Sequence, residues 1–190
     1  MAVPVSRPCR GSADGFVRTG AGLLSEGGFG LGISGKRHGA PGHSERGRWV
    51  QSNADTRLKV LLADDHSVMR QTLKKLLTQQ ADIQLVGETD NGLETLSLVK
   101  QLQPDLLVTD LMMPGLNGLE VTRRIRLSFP STLVVVVSVN CDEPYVAGAF
   151  RCGANAFVLK SSCGRHLIPA VRAVLAGHRY VSPPLSEPLI

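Results

Sequence analysis

Three aspartates, a serine and a lysine stand at the ends of apolar runs in this chain of 190 residues. Asp64 and Asp65 follow Leu58-Lys59-Val60-Leu61-Leu62-Ala63, and Asp110 follows Leu106-Leu107-Val108-Thr109. Ser138 closes the run from Thr132 to Val137, and Lys160 closes Ala156 to Leu159. Oxygen donors in this density suit a hard divalent cation. A hydroxyl and an ammonium beside them suit the oxygens of a phosphoryl group. Pro114, Gly115 and Gly118 shape the loop after Asp110, which fixes that carboxylate at the mouth of a sheet. That rim is where open α/β sheets bind ligands.

The stretches between these residues have the spacing needed to hold them there. Val68, Met69, Leu73, Leu76 and Leu77 recur at helical intervals, which predicts a helix over His66 to Thr78. A strand over Ile83 to Glu88 and a helix from about Gly92 to Gln101 follow, with Asp90 or Asn91 as its cap. Asp64 or Asp65 is positioned to cap the first helix in the same way. A third helix covers Gly118 to Ser128, and Pro130 stops it. Leu133 to Val137 is apolar throughout, as a central parallel strand covered on both faces must be. A fourth helix runs from Glu143 to Cys152 with Gly153 at its C-terminal turn, and a fifth from about Arg165 to Ala176. Pro169 falls inside that last helix and is expected to kink or shorten it. Five β/α units imply a doubly wound, flavodoxin-like sheet of five parallel strands in the order 2-1-3-4-5.

With their neighbours, these residues resemble the receiver domain of bacterial two-component response regulators. The wording is close to the NarL/FixJ (LuxR-type) subfamily: Ala63-Asp64-Asp65-His66, Asp110-Leu111-Met112-Met113-Pro114-Gly115, Gly153-Ala154-Asn155-Ala156-Phe157-Val158-Leu159-Lys160 and Gly177-His178-Arg179-Tyr180-Val181-Ser182-Pro183. The resemblance implies a phosphorelay module in which Asp110 accepts a phosphoryl group from a sensor histidine kinase. It implies Mg²⁺ bound directly by Asp65, Asp110 and the backbone carbonyl of Met112, with Asp64 acting through water. Ser138 and Lys160 would stabilise the phosphoryl group, and Lys160 would pair with Asp110 at rest. Phe157 matches the aromatic that switches rotamer with the hydroxyl, and fits a plain core position equally well. Ser161 follows Lys160 where many receivers carry proline, and Asn155 replaces the aspartate usual in the subfamily.

The chain divides by composition. Residues 1–56 hold twelve of the twenty glycines and seven of the 21 Lys/Arg, with little periodicity, and are expected to be disordered. Residues 57–180 are expected to form the receiver and 181–190 a linker stub. The formal net charge of +5 is uneven, with seven Lys/Arg against four acids in residues 1–56 and fourteen against eleven in residues 57–180, so the folded part is only mildly basic. No apolar run is long enough to span a bilayer, no signal-peptide pattern is present, and the four cysteines form no Cys-x-x-Cys pair. A cytoplasmic protein without membrane contact is therefore expected. Relatives of this subfamily continue into a helix-turn-helix domain that reads the major groove. The sequence stops at Ile190, so no sequence-specific DNA binding is expected of it. Phosphorylation would instead act through self-association at the fourth helix, last strand and last helix, near Tyr145, Phe150 and Phe157. The alternative is a DNA-binding transcriptional regulator shortened before its output domain. An aspartate-nucleophile phosphatase, which needs a second acid two residues on, is opposed by Met112.

Overall fold

A computed structural model describes residues 57–185. Strands and helices alternate along it. β1 (Leu58–Ala63), α1 (Ser67–Thr78), β2 (Ile83–Thr89), α2 (Gly92–Leu102) and β3 (Leu106–Asp110) form the first half. α3 (Gly118–Ser128), β4 (Leu133–Ser138), α4 (Glu143–Arg151), β5 (Ala156–Leu159), α5 (Cys163–Leu175) and β6 (Tyr180–Val181) complete it. All strands are parallel and lie in the order β2-β1-β3-β4-β5-β6.

The sheet carries one strand more than the sequence suggests. β6 has only two residues, too few to show any periodicity, and pairs Tyr180 with Ala156 and Val181 with Phe157. Ser182 extends this edge: its N–H donates to the Phe157 carbonyl (2.9 Å), and its Oγ accepts from Leu159 N–H (2.9 Å). Its burial is complete. The boundary expected at residue 180 thus falls inside β6, and the first residues read as linker contribute hydrogen bonds to the sheet. The disorder expected for residues 1–56 lies outside the described residues, as does the end of the stub.

Two apolar layers sandwich the strands. On one face Val60, Leu62, Val108 and Val135 pack with Leu73 and Leu77 of α1 and Leu167, Val171 and Val174 of α5. On the other, Leu61, Leu107, Val134 and Val136 pack with Val99 of α2, Val121 and Ile125 of α3, and Val146 and Phe150 of α4. Alternate residues of β1 and β4 point to opposite layers, which explains runs with no polar interruption.

The helix ends follow their capping chemistry, with two departures. The Asn91 side chain accepts from the N–H groups of Leu93 and Glu94, and Asn117 does the same for Glu120, so each start is fixed by its own sequence. At α1 the cap position belongs to His66, and no side chain caps the helix. Asp64 Oδ1 instead accepts from His66 N–H (2.9 Å), which holds the chain just before the helix. Pro169 does not shorten α5, which continues to Leu175. The proline is exposed, so the carbonyl one turn earlier, deprived of its usual donor, faces water instead of apolar core.

Leu167 is fully buried between α5 and the sheet, and truncating such a residue loses both its transfer energy and the packing around the cavity. Leu167→Ala should cost about 2–5 kcal/mol in urea unfolding. The surface pair Arg172–Asp82 (2.5 and 2.8 Å) joins the end of α5 to the turn before β2, and the guanidinium holds the Asp82 carboxyl below its ordinary value of 3.8. A depressed acid stabilises the fold above its unfolded pKa, and that contribution is lost as pH falls through the folded one. Arg172→Ala should therefore lower the unfolding midpoint slightly at pH 7, and the difference from wild type should close as the pH drops below 3.8.

Candidate functional site

The C-terminal ends of β1, β3 and β5 deliver their polar residues to one buried point. Asp64 and Asp110 are 0% and 3% exposed, and Lys160, at the start of a single 3-10 turn leading into α5, is 5% exposed. Lys160 Nζ donates to Asp110 Oδ2 at 2.6 Å and lies 2.9 Å from Asp64 Oδ2. The second contact is a charge pairing without hydrogen-bond alignment, since Asp64 Oδ2 has no aligned donor. Burial pushes the Asp110 carboxyl above its ordinary value, while Lys160 pulls it back down.

Backbone contacts hold the two acids in place. The Asp64 N–H donates to the Thr89 carbonyl (3.1 Å), and the Asp64 carbonyl accepts from Arg70 Nη1 of α1 (2.6 Å). The loop after Asp110 is tied back on itself by Gly118 N–H to the Leu111 carbonyl (2.8 Å), and to α2 by Gly92 N–H to the Pro114 carbonyl (3.0 Å). Both glycines are dictated by close approach. A Cβ on Gly118 would lie 2.0 Å from the Asp110 carbonyl oxygen, and one on Gly92 1.9 Å from that of Leu116.

Of the residues predicted from sequence, Asp64, Asp110 and Lys160 come into direct contact. Asp65 sits at the same mouth, about a third exposed. Ser138 is buried at the end of β4, one residue beyond the partner of Asp110 in the sheet register, and its Oγ accepts from Asn140 N–H (3.0 Å). Met112 turns its side chain outward, 56% exposed. Phe157 is fully buried, in the layer with Val136 and Phe150. Of Tyr145, Phe150 and Phe157, expected near one surface, only Tyr145 is exposed. β6 covers the edge of β5, so the outermost strand on that side is β6.

Sequence reasoning passed over His66 as a site residue. Its Nδ1 lies 2.7 Å from Asp65 Oδ1, 3.8 Å from Asp64 Oδ1 and 3.7 Å from Asp110 Oδ2. One donor atom from each of Asp64, Asp65, His66 and Asp110 falls within 4.8 Å of the others. The signal was adjacency: a residue following two acids at a strand end cannot lie far from them. The donor set fits a divalent cation, because the buried Asp64 Oδ2 and the Asp65 Oδ1 atom both lack an aligned hydrogen-bond donor.

Residues 60–172 match the response regulator receiver domain family. The chain belongs to it. The response regulator GacA of Pseudomonas aeruginosa is 36% identical over 132 residues, covering 70% of this chain and 62% of the relative. The oxygen regulatory protein NreC of Staphylococcus carnosus is 37% identical over 134 residues, with the same two coverages. The chain therefore spans somewhat under two thirds of the length of these relatives. Among solved structures, the signal receiver domain of NarL from Mycobacterium tuberculosis superposes with a TM-score of 0.62 at 30% identity, covering 64% of this chain and 98% of that one. A LuxR-family two-component response regulator from Aurantimonas sp. SI85-9A1 gives 0.64 at 31% identity, covering 67% and 91%. The receiver is thus of NarL/FixJ type, and its role is that of a phospho-acceptor in two-component signalling. No enzyme family is indicated. Among the described residues, no helix is long and apolar enough to cross a membrane.

The glycine contacts yield a direct test of the loop. Gly118→Ala forces backbone at Asp110 or Leu111 to move, and should cost about 1–3 kcal/mol in denaturant unfolding. It should also slow phosphorylation by a small-molecule phosphodonor at least tenfold. Wild-type labelling in Gly118→Ala would show that the close approach does not position Asp110.

Proposed function

We propose that Asp110 is the phospho-acceptor of this receiver, and that Asp64, Asp65, Ser138 and Lys160 complete its chemistry. The observation that carries this is the buried Asp110 carboxylate held 2.6 Å from Lys160 at the rim of the sheet. A carboxylate oxygen of Asp110 attacks phosphorus in line. The bond from phosphorus to the kinase's histidine nitrogen breaks, the phosphoryl group passes to Asp110 as an acyl phosphate, and the released imidazole takes up a proton from solvent. Such transfers depend chiefly on positioning and on offsetting charge. Lys160 already neutralises Asp110 at rest and is placed to accompany the phosphoryl oxygens afterwards. Ser138 gives its hydroxyl to the phosphoryl group once it is formed, and Phe157 is the aromatic that responds.

Asp65, Asp110 and the Met112 carbonyl would hold Mg²⁺, with Asp64 acting through water; bound there, the ion supplies positive charge to the phosphoryl oxygens. The partner is a sensor histidine kinase, and the setting is the cytoplasm. Phosphorylation is read out by self-association through α4, α5 and the strand edge between them, where Tyr145 is exposed and where β6, rather than β5, forms the edge. Sequence-specific DNA binding is not assigned to the described residues.

Acetyl phosphate with Mg²⁺ should add one phosphoryl group to the wild type, read by intact mass, and none to Asp110→Ala. Ser138→Ala should still be labelled, but should lose the phosphorylation-dependent change in size-exclusion volume. Equal labelling of wild type and Asp110→Ala would overturn the assignment, and loss of all labelling in Ser138→Ala would overturn the division of roles.

A further inference from the structure

A second cluster of polar side chains lies at the end of the sheet opposite Lys160, where β4, β5 and β6 begin. It surrounds a pocket of about 320 Å³ between the end of α3, the α4–β5 turn and the α5–β6 turn. Leu133, Phe150 and Val174 give the pocket an apolar side. Its ionisable lining is basic, Arg126, His178 and Arg179, and among the described residues no carboxylate lines it. Both guanidinium groups have a fixed seat. Gly153, at φ +100°, lets the Arg126 stem lie against the α4–β5 turn, since a Cβ there would stand 2.8 Å from Arg126 Cγ. Arg126 Nη1 donates to the Pro130 carbonyl (3.3 Å), and the Arg179 guanidinium lies over the Phe150 ring, 5.5 Å from its centroid. Asn155 sets the sign of the remaining wall. Its Oδ1 accepts from Val134 N–H (2.9 Å), which fixes the carboxamide and leaves its amino group as a donor on the other side. An acid at this position would keep that bond and put a negative charge where Asn155 puts N–H. Cations in a last helical turn also offset the partial negative charge of the helix end, as Arg126 does for α3. That role requires neither a concave pocket nor a carboxamide lining it.

We propose that this pocket binds a small organic anion whose phosphoryl or carboxylate group is held by Arg126, Arg179 and the Asn155 amino group. Guanidinium groups present paired N–H donors that match either oxyanion, and hydrogen bonds to a charged acceptor are about twice as strong as neutral ones. Small-molecule sites run to roughly 300–1,000 Å³, so a pocket of this volume suits a ligand of metabolite size. The apolar side accommodates the carbon part of such a ligand. Asn155 also ties three strands together: its N–H donates to the Val134 carbonyl (2.8 Å), and its carbonyl accepts from Tyr180 N–H (3.3 Å). A ligand on Asn155 is therefore attached to the start of the strand that leads to Lys160 and to the edge strand β6. The site is separate from the phospho-acceptor and does not depend on that assignment.

The test is a titration of the isotope-labelled full chain with inorganic phosphate and, separately, with citrate, followed by amide NMR shifts at constant ionic strength. Divalent cations are left out, so that the acidic rim has nothing with which to hold an anion. Saturating shifts should be largest at Gly153, Asn155, Gly177, His178 and Arg179. Saturation there by phosphate, by citrate or by both supports the proposal and names the oxyanion. Asn155→Asp keeps an acceptor for the Val134 amide but sets like charge against the ligand, and should weaken binding at least about tenfold. Arg126→Gln keeps the stem over Gly153 without the charge, and should weaken it by a similar factor. Shifts that saturate with neither anion, or that fall elsewhere in the chain, overturn the proposal. So does wild-type affinity in either variant.

Discussion

Three charged side chains are almost completely buried at the rim of the sheet, and the rest of the domain is arranged to make that tolerable. Burying an isolated carboxylate or ammonium is prohibitive. Asp64, Asp110 and Lys160 are held together because each lies within 3 Å of a countercharge. Breaking such a pair by removing one member costs about 3–5 kcal/mol, so the cluster is as much a packing constraint as a reactive site. It is still not fully satisfied. Two carboxylates share one ammonium, Asp64 Oδ2 lacks an aligned donor, and burial raises the Asp110 carboxyl. That residual imbalance is what suits the acidic cluster to a divalent cation.

The scaffold serves this point from several directions. β1, β3 and β5 are parallel, so their carboxyl ends open on the same rim, and their apolar interiors anchor them in two layers. The loop carrying Asp110 into α3 passes so close to α2 that a methyl group at Gly92 would strike Leu116 backbone, and it folds back on itself so tightly that one at Gly118 would strike the Asp110 carbonyl. α5 begins directly after Lys160, so the lysine sits where a strand end, a 3-10 turn and a helix start meet. Movement at Asp110 can therefore reach β5 through Lys160. From β5 it can pass to β6 through the paired Phe157 and Val181, and through the Ser182 hydroxyl that accepts from the Leu159 amide.

The alternation of apolar runs, the caps at Asn91 and Asn117, and the acids and lysine at strand ends were all legible in the amino-acid order. They rest on local chemistry: period, turn propensity, and the fixed position of a residue at the end of a strand. The strand order 2-1-3-4-5 was legible for a similar reason, because parallel crossovers of this length have few allowed connections. Sequence failed at α1, where Asp64 spends its side chain on the His66 amide and leaves the helix uncapped by any side chain. It did not foresee that α5 runs on past Pro169, whose cost depends on whether the freed carbonyl meets water, nor β6, whose two residues become a strand only because β5 offers an unpaired edge.

By itself, then, the sequence determined the fold class, the receiver role, and four of the residues that meet at the rim, Asp64, Asp65, Asp110 and Lys160, but not His66. The tertiary structure decided how those charges are shared. Only in three dimensions does Lys160 stand between Asp64 and Asp110, Phe157 lie in the closed core, and His66 turn its ring nitrogen onto Asp65. The physical reason is that spacing along a chain fixes which face and which end of an element a residue occupies. Distances of 2.6 to 2.9 Å between groups on different strands are set by the packing of the whole sheet.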